Sequence, residues 1–600
     1  MEEFDLLINN ASVVDGSGKP PSKRSIAIRG DKVAAVGTTK GDAKKVIDAT
    51  GLTAVPGFID SHSHADGNLL FAPRCENYVL MGCTTFIAGQ CAISPAPIGD
   101  MIPLPGHAHE YIDELTSYKY RPRKSLFPRD QVNEVMKEHF GWTVDWRTMG
   151  EFFKVVESRG ISANYVPLVG HGAVRSLVMG EDYKRHSTKA EQAQMAEHIR
   201  KAMDDLCIGL SVGLDYDPDV WAAREEIVDG VSLVKEYGGI FVPHSRRTGR
   251  RLDLKPGHRM PDPIDGLREV IDICRATCVR MNIAHIFTGW YITPRGGPHI
   301  LEEANRRATM TIIDEALKEG LDISYDALPS TLSTSFGGSA YLCALLLPWL
   351  REYGTRQKLA EKLKNEDIRD DIALAITSGK WSIDRSGSPL NPITNPGWAE
   401  NITVLKHKNP ACENKSLAKI AQERGKDPFN TWFDLIIEDP DSRGSEPRGW
   451  YAPGEPDAWY HAIFYEHPQS AVGLDTGVVD YDYESKSPPW STPGVVQFSA
   501  FVGFLDKYVN KLKLMTLEQA VHKTSTQAAL RHGLKGRGII KEGSYADIVL
   551  LDLPNLKVMG TALQPKQPPK GIEHVFVNGV EVARKGQHTG ARPGRVLRRG

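Results

Sequence analysis

His62 and His64 stand two residues apart in GLTAVPGFIDSHSHADG (51–67). Side chains alternate along a strand, so the two imidazoles point to one side, about 7 Å apart along the chain. Two imidazoles offered together where an apolar run ends can hold a divalent metal. The pair alone is a weak signal, because the chain has 19 histidines and a second pair, His107/His109. Further ligand-type residues follow other apolar runs. Cys91 follows the run in TTFIAGQCAISPAP, His244 ends GGIFVPH, His285 ends NIAH and Asp475 ends SAVGLD. Imidazole and thiolate are good zinc ligands, and a catalytic zinc keeps one position open for water. A carboxylate beside such a centre can take a proton from water and pass it to a leaving group. Each residue also has a plain reading, as buried thiol, core histidine or loop cap. Six of them at successive run ends favour metal and acid–base chemistry. His171, in VGHGAVR, is a candidate to line the site without binding metal, whereas His107 and His109 read as surface or packing residues.

The runs that would position these groups are short and apolar: TTFIAG (84–89), NYVPLVG (164–170), IGLSVGL (208–214), GGIFVPHS (238–245), RMNIAHI (280–286), LDISYDA (321–327) and SAVGLD (470–475). Amphipathic segments separate most of them, for example 190–207, 265–277 and 306–320. With DSHSH there are eight candidate strands, an α/β pattern that predicts a parallel βα barrel with its site at the C-terminal strand ends. Residues 1–56 read instead as strands and turns, with a hairpin signal at Gly30-Asp31. Residues 536–600 match them in style, with Asn578-Gly579 at a turn. Neither end has enough strands for a stable sheet, so the two are expected to pair into one small β domain. The barrel then occupies 57–535, with a small insertion at about 100–145 and an inserted subdomain at about 330–465, too long for one βα connection.

Six hundred residues exceed what one core usually supports. The composition is 41% hydrophobic and 25% charged with net charge −2, so no basic excess points to nucleic acid or an anionic membrane. MEEFDLLINN lacks the basic start and apolar stretch of a signal peptide, and no apolar run approaches the roughly 20 residues of a membrane span. The eight cysteines form no CxxC and read as reduced thiols. These features predict a cytoplasmic protein acting on a small molecule, with no nucleic-acid or membrane partner. Oligomeric state stays open, a homo-oligomer included.

The ordered motifs resemble the amidohydrolase superfamily, and within it the N-acyl-D-amino-acid deacylase (D-aminoacylase) branch. PGFIDSHSHAD resembles that branch's PGFID-x-H-x-H-x-D, and GCTTFIAGQCAISPAP its GVTT…G-N-C-G-x-S-x-AP. ANYVPLVGHGAVR, IGLSVGLDYDP, GGIFVPHSR, EHPQSAVGLDTG and the segment from MTLEQAVHK to the C-terminus follow it too. The resemblance implies a (β/α)8 TIM-like barrel, a small β-sandwich from both chain ends and an inserted subdomain late in the barrel. It implies one zinc held tightly by Cys91, His244 and His285. His62 and His64 would complete a second, weaker or vacant site sharing Cys91. Asp475 would stand at the metal as general base and then acid in amide hydrolysis. Tyr216 (in GLDYDP) and Arg246 (in HSR) join His171 as substrate-lining candidates.

Two departures bear on substrate. After the second metal histidine the branch usually reads S-H-x-K, but here it is Ala284-His285-Ile286-Phe287. Beyond the acid it has H-P-R, but DTGVVDYDYESKSPPW has no such motif; Lys486 lies nearby without matching it. Those absent cations are the natural clamps for a substrate carboxylate. Phe287 and Trp290 follow a metal ligand instead, which predicts a more apolar or aromatic amide substrate. Hydrolysis of a cyclic amide, imide or lactone is the alternative within enzymes. A non-catalytic binding or assembly protein on the same scaffold is the alternative outside them.

Overall fold

The structure is a computed structural model, and it describes residues 3–38, 42–112, 126–215, 217–246, 263–286, 299–329, 339–378, 397–445, 462–486 and 493–600. Eight parallel strands supply the frame: β1 (Phe58–Asp60), β2 (Cys83–Ala88), β3 (Asn164–Pro167, continued by Val169–Gly170), β4 (Gly209–Gly213), β5 (Ile240–His244), β6 (Arg280–Ile283), β7 (Ile323–Ala327) and β8 (Ser470–Val472). β1, β2 and β3 form a three-stranded sheet; Val169–Gly170 and β4 to β8 form one of six strands, in sequence order. Parallel pairs such as Val212↔Pro243 and Ala327↔Val472 set the register. The exit of β8 bonds back to the exit of β1: Ser61 N donates to Val472 O (3.2 Å), Asp475 N to His62 O (2.8 Å) and His64 N to Thr476 O (2.8 Å). The first and last strand ends are thereby neighbours.

Helices connect these strands: α1 (Met149–Arg159), α2 (His171–Met179), α3 (Lys189–Asp204), α4 (Arg224–Glu236), α5 (Pro263–Thr277) and α6 (His299–Lys318). Capping boxes at Thr148/Glu151 and Thr188/Glu191 start α1 and α3 by satisfying the free N–H groups of the first turn. α3 buries Met195, Ile199, Ala202 and Met203, the helical spacing of one inward face. The α/β alternation expected from the sequence is present. No helix among the described residues is long and apolar enough to cross a membrane.

Both chain ends join one nine-stranded sheet. Thr53–Pro56 pairs antiparallel with Ile548–Leu551, placing Val55 opposite Val549. Turns at Gly30-Asp31 and Asn578-Gly579 form the two expected hairpins, the latter with positive φ at both central residues. Leu6, Ile8, Ile26, Ile28, Ile548, Leu550 and Phe576 are buried together there. Residues within 339–445 have a separate core around Trp349, Trp432, Phe433 and Ile436. A four-stranded antiparallel sheet accompanies that core.

Candidate metal centre

All six ligand-type residues stand where the parallel strands end. His244 is the last residue of β5. The others lie just beyond their strands, which corrects the expectation that His62 and His64 are themselves on β1. That strand stops at Asp60, and the two rings meet edge to face with centroids 5.5 Å apart. Cys91, His285 and Asp475 have φ of +52°, +30° and +53°, a region that non-glycine residues enter at a cost of about 1–3 kcal/mol. Surrounding bonds hold these turns. Ser211 Oγ donates to Gly89 O and accepts from Ala92 N (3.1 Å), pinning the Cys91 turn to β4. Gln90 Nε2 donates to Ser61 O (3.1 Å). Asp326, at the end of β7, accepts from His285 N (2.7 Å) and Asn282 Nδ2 (2.7 Å).

Cys91 Sγ is the hub. It lies 3.3 Å from His62 Nε2, 3.5 Å from His244 Nδ1 and 3.4 Å from His285 Nε2, and the two latter nitrogens are 2.9 Å apart. Tetrahedral zinc, with Zn–S near 2.3 Å and Zn–N near 2.0–2.1 Å, needs S···N of about 3.5 Å and N···N of about 3.3 Å. The Cys91, His244 and His285 donors therefore fit such an ion in chemistry and spacing. Two more overlapping trios also lie within one ion's reach, His62/His64/Cys91 and His62/His285/Asp475.

Burial gives the centre a direction. His62, Cys91, His244 and His285 are at most 3% exposed, whereas the side chains of His64 and Asp475 are 26% and 21% exposed. Of the six, His64 and Asp475 are the side chains that solvent reaches. Burial, with the neighbouring histidines, holds His62 well below the ordinary imidazole range. Burial also disfavours charge on His64, but Asp475 and Cys91 outweigh it and raise that ring. Burial alone would raise Asp475, yet His64 and His62 hold its carboxyl below the usual range, so it is ionised at neutral pH.

Three acids escaped the sequence reading. Asp60 accepts from His62 N (3.0 Å), Leu474 N (2.8 Å) and Tyr78 Oη (2.8 Å), tying the first and last strand exits together. Asp326 Oδ1 is also 3.7 Å from His62 Nδ1. Asp215 Oδ2 is 3.3 Å from His244 Nε2. The signal available for all three was a carboxylate at the end of an apolar run, as in IDSH, SYDA and VGLD.

The substrate-lining expectations fare differently. His171 is buried, with Nδ1 2.8 Å from Asp219 Oδ1 and Nε2 3.4 Å from Glu226 Oε1. Arg246 donates to Glu269, Leu214 O, Val220 O and Ala222 O. Both side chains brace the protein instead of standing open to a ligand. Tyr216, Phe287 and Trp290 lie outside the described residues. His107 packs on Tyr483, with ring centroids 3.9 Å apart, in keeping with a packing role.

The relatives of this chain mark it as a hydrolase of carbon–nitrogen bonds, and the strand-end cluster has the donor types such chemistry uses. The profile of the amidohydrolase family matches residues 45–232. The chain is 27% identical to the D-aminoacylase of Alcaligenes xylosoxydans xylosoxydans, covering 100% of this chain and 98% of that protein. It is 26% identical to the N-acyl-D-aspartate deacylase of the same organism, covering 99% and 95%. Among solved structures, a D-aminoacylase studied for its binuclear metal centre superposes with a TM-score of 0.66 at 23% identity, over 99% of this chain and 100% of that one. N-acyl-D-glutamate deacylase from Bordetella bronchiseptica, complexed with zinc and a phosphonate inhibitor, gives 0.65 at 23% identity over 100% of both chains. At that identity the two structures speak to the fold.

Proposed function

We propose that this amidohydrolase is zinc-dependent and cleaves an amide bond of a small molecule. Its substrate is more apolar or aromatic than an N-acyl-D-amino acid. The observation that carries the reading is the Cys91 thiol 3.3–3.5 Å from three imidazole nitrogens, with Asp475 at the exposed rim. Cys91, His244 and His285 would hold the tight ion, while His62 and His64 border a weaker second position through the shared thiol. When bound, zinc lowers the pKa of its water from 15.7 towards about 7 and polarises a carbonyl. Asp475, ionised at neutral pH, takes a proton from the attacking water. The water oxygen bonds to the carbonyl carbon, the C–N bond breaks, and Asp475 returns the proton to the departing nitrogen.

The frame for this chemistry is read as a (β/α)8 barrel over 57–535. The bonds from the exit of β8 to that of β1 support closure. The joint terminal sheet supports a small β-sandwich from 1–56 and 536–600. The substrate reading rests on the cations missing at Phe287 and after Asp475, and on an Arg246 whose donors are already engaged. The test is product analysis with zinc-loaded protein on matched pairs, each an N-acetyl-D-amino acid and the same amide without its carboxylate. Preferential cleavage of the neutral aromatic amides is expected. Cleavage of the acids alone overturns the substrate reading and leaves the chemistry standing.

A further inference from the structure

His244 meets the centre through Nδ1, whereas His62 and His285 face Cys91 through Nε2. A neutral imidazole carries one N–H, so the nitrogen that faces a metal must be the one without it. The other nitrogen of His244, Nε2, lies 3.3 Å from Asp215 Oδ2. A carboxylate oxygen facing Nε2 suits the tautomer that carries its proton there, in which Nδ1 presents its lone pair to the centre. Asp215 has 6% side-chain exposure, so water competes little for that carboxylate.

The loop that carries Asp215 is held from two sides. Leu214 N donates to His244 O (3.1 Å), and Arg246 donates to Leu214 O (3.2 Å), Val220 O (2.9 Å) and Ala222 O (3.3 Å). Glu269 fixes the same guanidinium at Nε, 3.1 Å away. From the other side, Asp219 accepts from Gly213 N (3.1 Å) and pairs with His171 Nδ1 (2.8 Å). His171, through Asp219, and Arg246 thus hold Gly213, Leu214, Val220 and Ala222 against the ends of β4 and β5.

We propose that Asp215 is a positioning residue that fixes the tautomer and orientation of His244 for metal binding, with the His171–Asp219 pair and Arg246 holding it in place. The proposal rests on the reading that Cys91, His244 and His285 bind the tight metal. A carboxylate behind a ligating imidazole also raises its basicity, and losing such a partner typically weakens metal affinity 10–100-fold.

The test measures zinc affinity by competition with a chromophoric chelator, beside the melting temperature of the metal-free protein, for wild type, Asp215→Ala and Asp215→Glu. The expected result is roughly 10–100-fold weaker binding in Asp215→Ala, an unchanged metal-free melting temperature, and substantial recovery in Asp215→Glu. Wild-type affinity in Asp215→Ala overturns the proposal. So does weakened binding that comes with a matching fall in metal-free stability and no recovery in Asp215→Glu, since that pattern marks a structural role. Cys91→Ala separates the underlying reading: if it binds zinc as tightly as wild type, the assigned centre is wrong, and the role of Asp215 falls with it.

Discussion

His64 Nε2 and Asp475 Oδ1 lie 3.1 Å apart across the exposed rim of a centre whose other four ligand-type side chains are buried. The pairing keeps the carboxylate ionised where an incoming water can reach it. Asp475→Asn removes the proton acceptor and keeps the shape. The expected outcome is a fall in kcat of about 10²–10⁴ with one tightly held metal retained, checked by steady-state rates beside metal analysis.

Cys91 belongs to two of the three ligand trios, as do His62 and His285, and it is the one thiol in the centre, within 3.3–3.5 Å of three imidazole nitrogens. Cys91→Ser keeps the volume and replaces a soft thiolate with a hydroxyl that stays protonated. Tight metal should be lost along with activity. Metal content after dialysis against a weak chelator measures this, and a full equivalent retained in the variant contradicts the assignment.

Metal removal should also lower stability, because a ligand that binds only the folded chain stabilises it by mass action. At a free metal concentration 1,000 times Kd this amounts to about 4 kcal/mol. The chelated protein is expected to melt earlier and to regain both melting temperature and rate on adding a divalent metal.

Gly473 tests how tightly the strand ends are packed. A Cβ there would sit 2.6 Å from Asp326 Oδ1 and 2.7 Å from His62 Cβ, both at the centre. Gly473→Ala should cost about 1–3 kcal/mol by overpacking and weaken metal binding by displacing His62 or Asp326. Thermal melting and metal titration of the same preparation read the two effects.

His532 provides a pH signature away from the centre. Burial pushes its imidazole down to about 4, so the unfolded chain takes up the proton first as pH falls. Its contribution is complete above pH 6.5 and is lost between 6.5 and about 4, a loss of roughly 3 kcal/mol. His532→Gln should flatten the acid limb of melting temperature against pH relative to wild type. Comparing the two proteins cancels the titration of the metal-site histidines.

The sequence by itself singled out six ligand-type residues and the apolar runs that they end or follow. Those signals are local: an apolar run, a turn, and a histidine, cysteine or aspartate at the boundary. The terminal hairpins were legible for the same reason, through Gly30-Asp31 and Asn578-Gly579. Tertiary structure alone decided what each polar group meets. Asp60 bonds to Leu474 across 414 positions, and Asp326 to the backbone of His285 across 41. No local pattern encodes such distant partners. His171 and Arg246 look from sequence like groups waiting for a substrate, but their neighbours in space are Asp219, Glu226, Glu269 and a row of carbonyls. The nitrogen each imidazole turns to the centre was likewise set by packing, because residue type fixes the chemistry a side chain can do and its surroundings fix which atom does it.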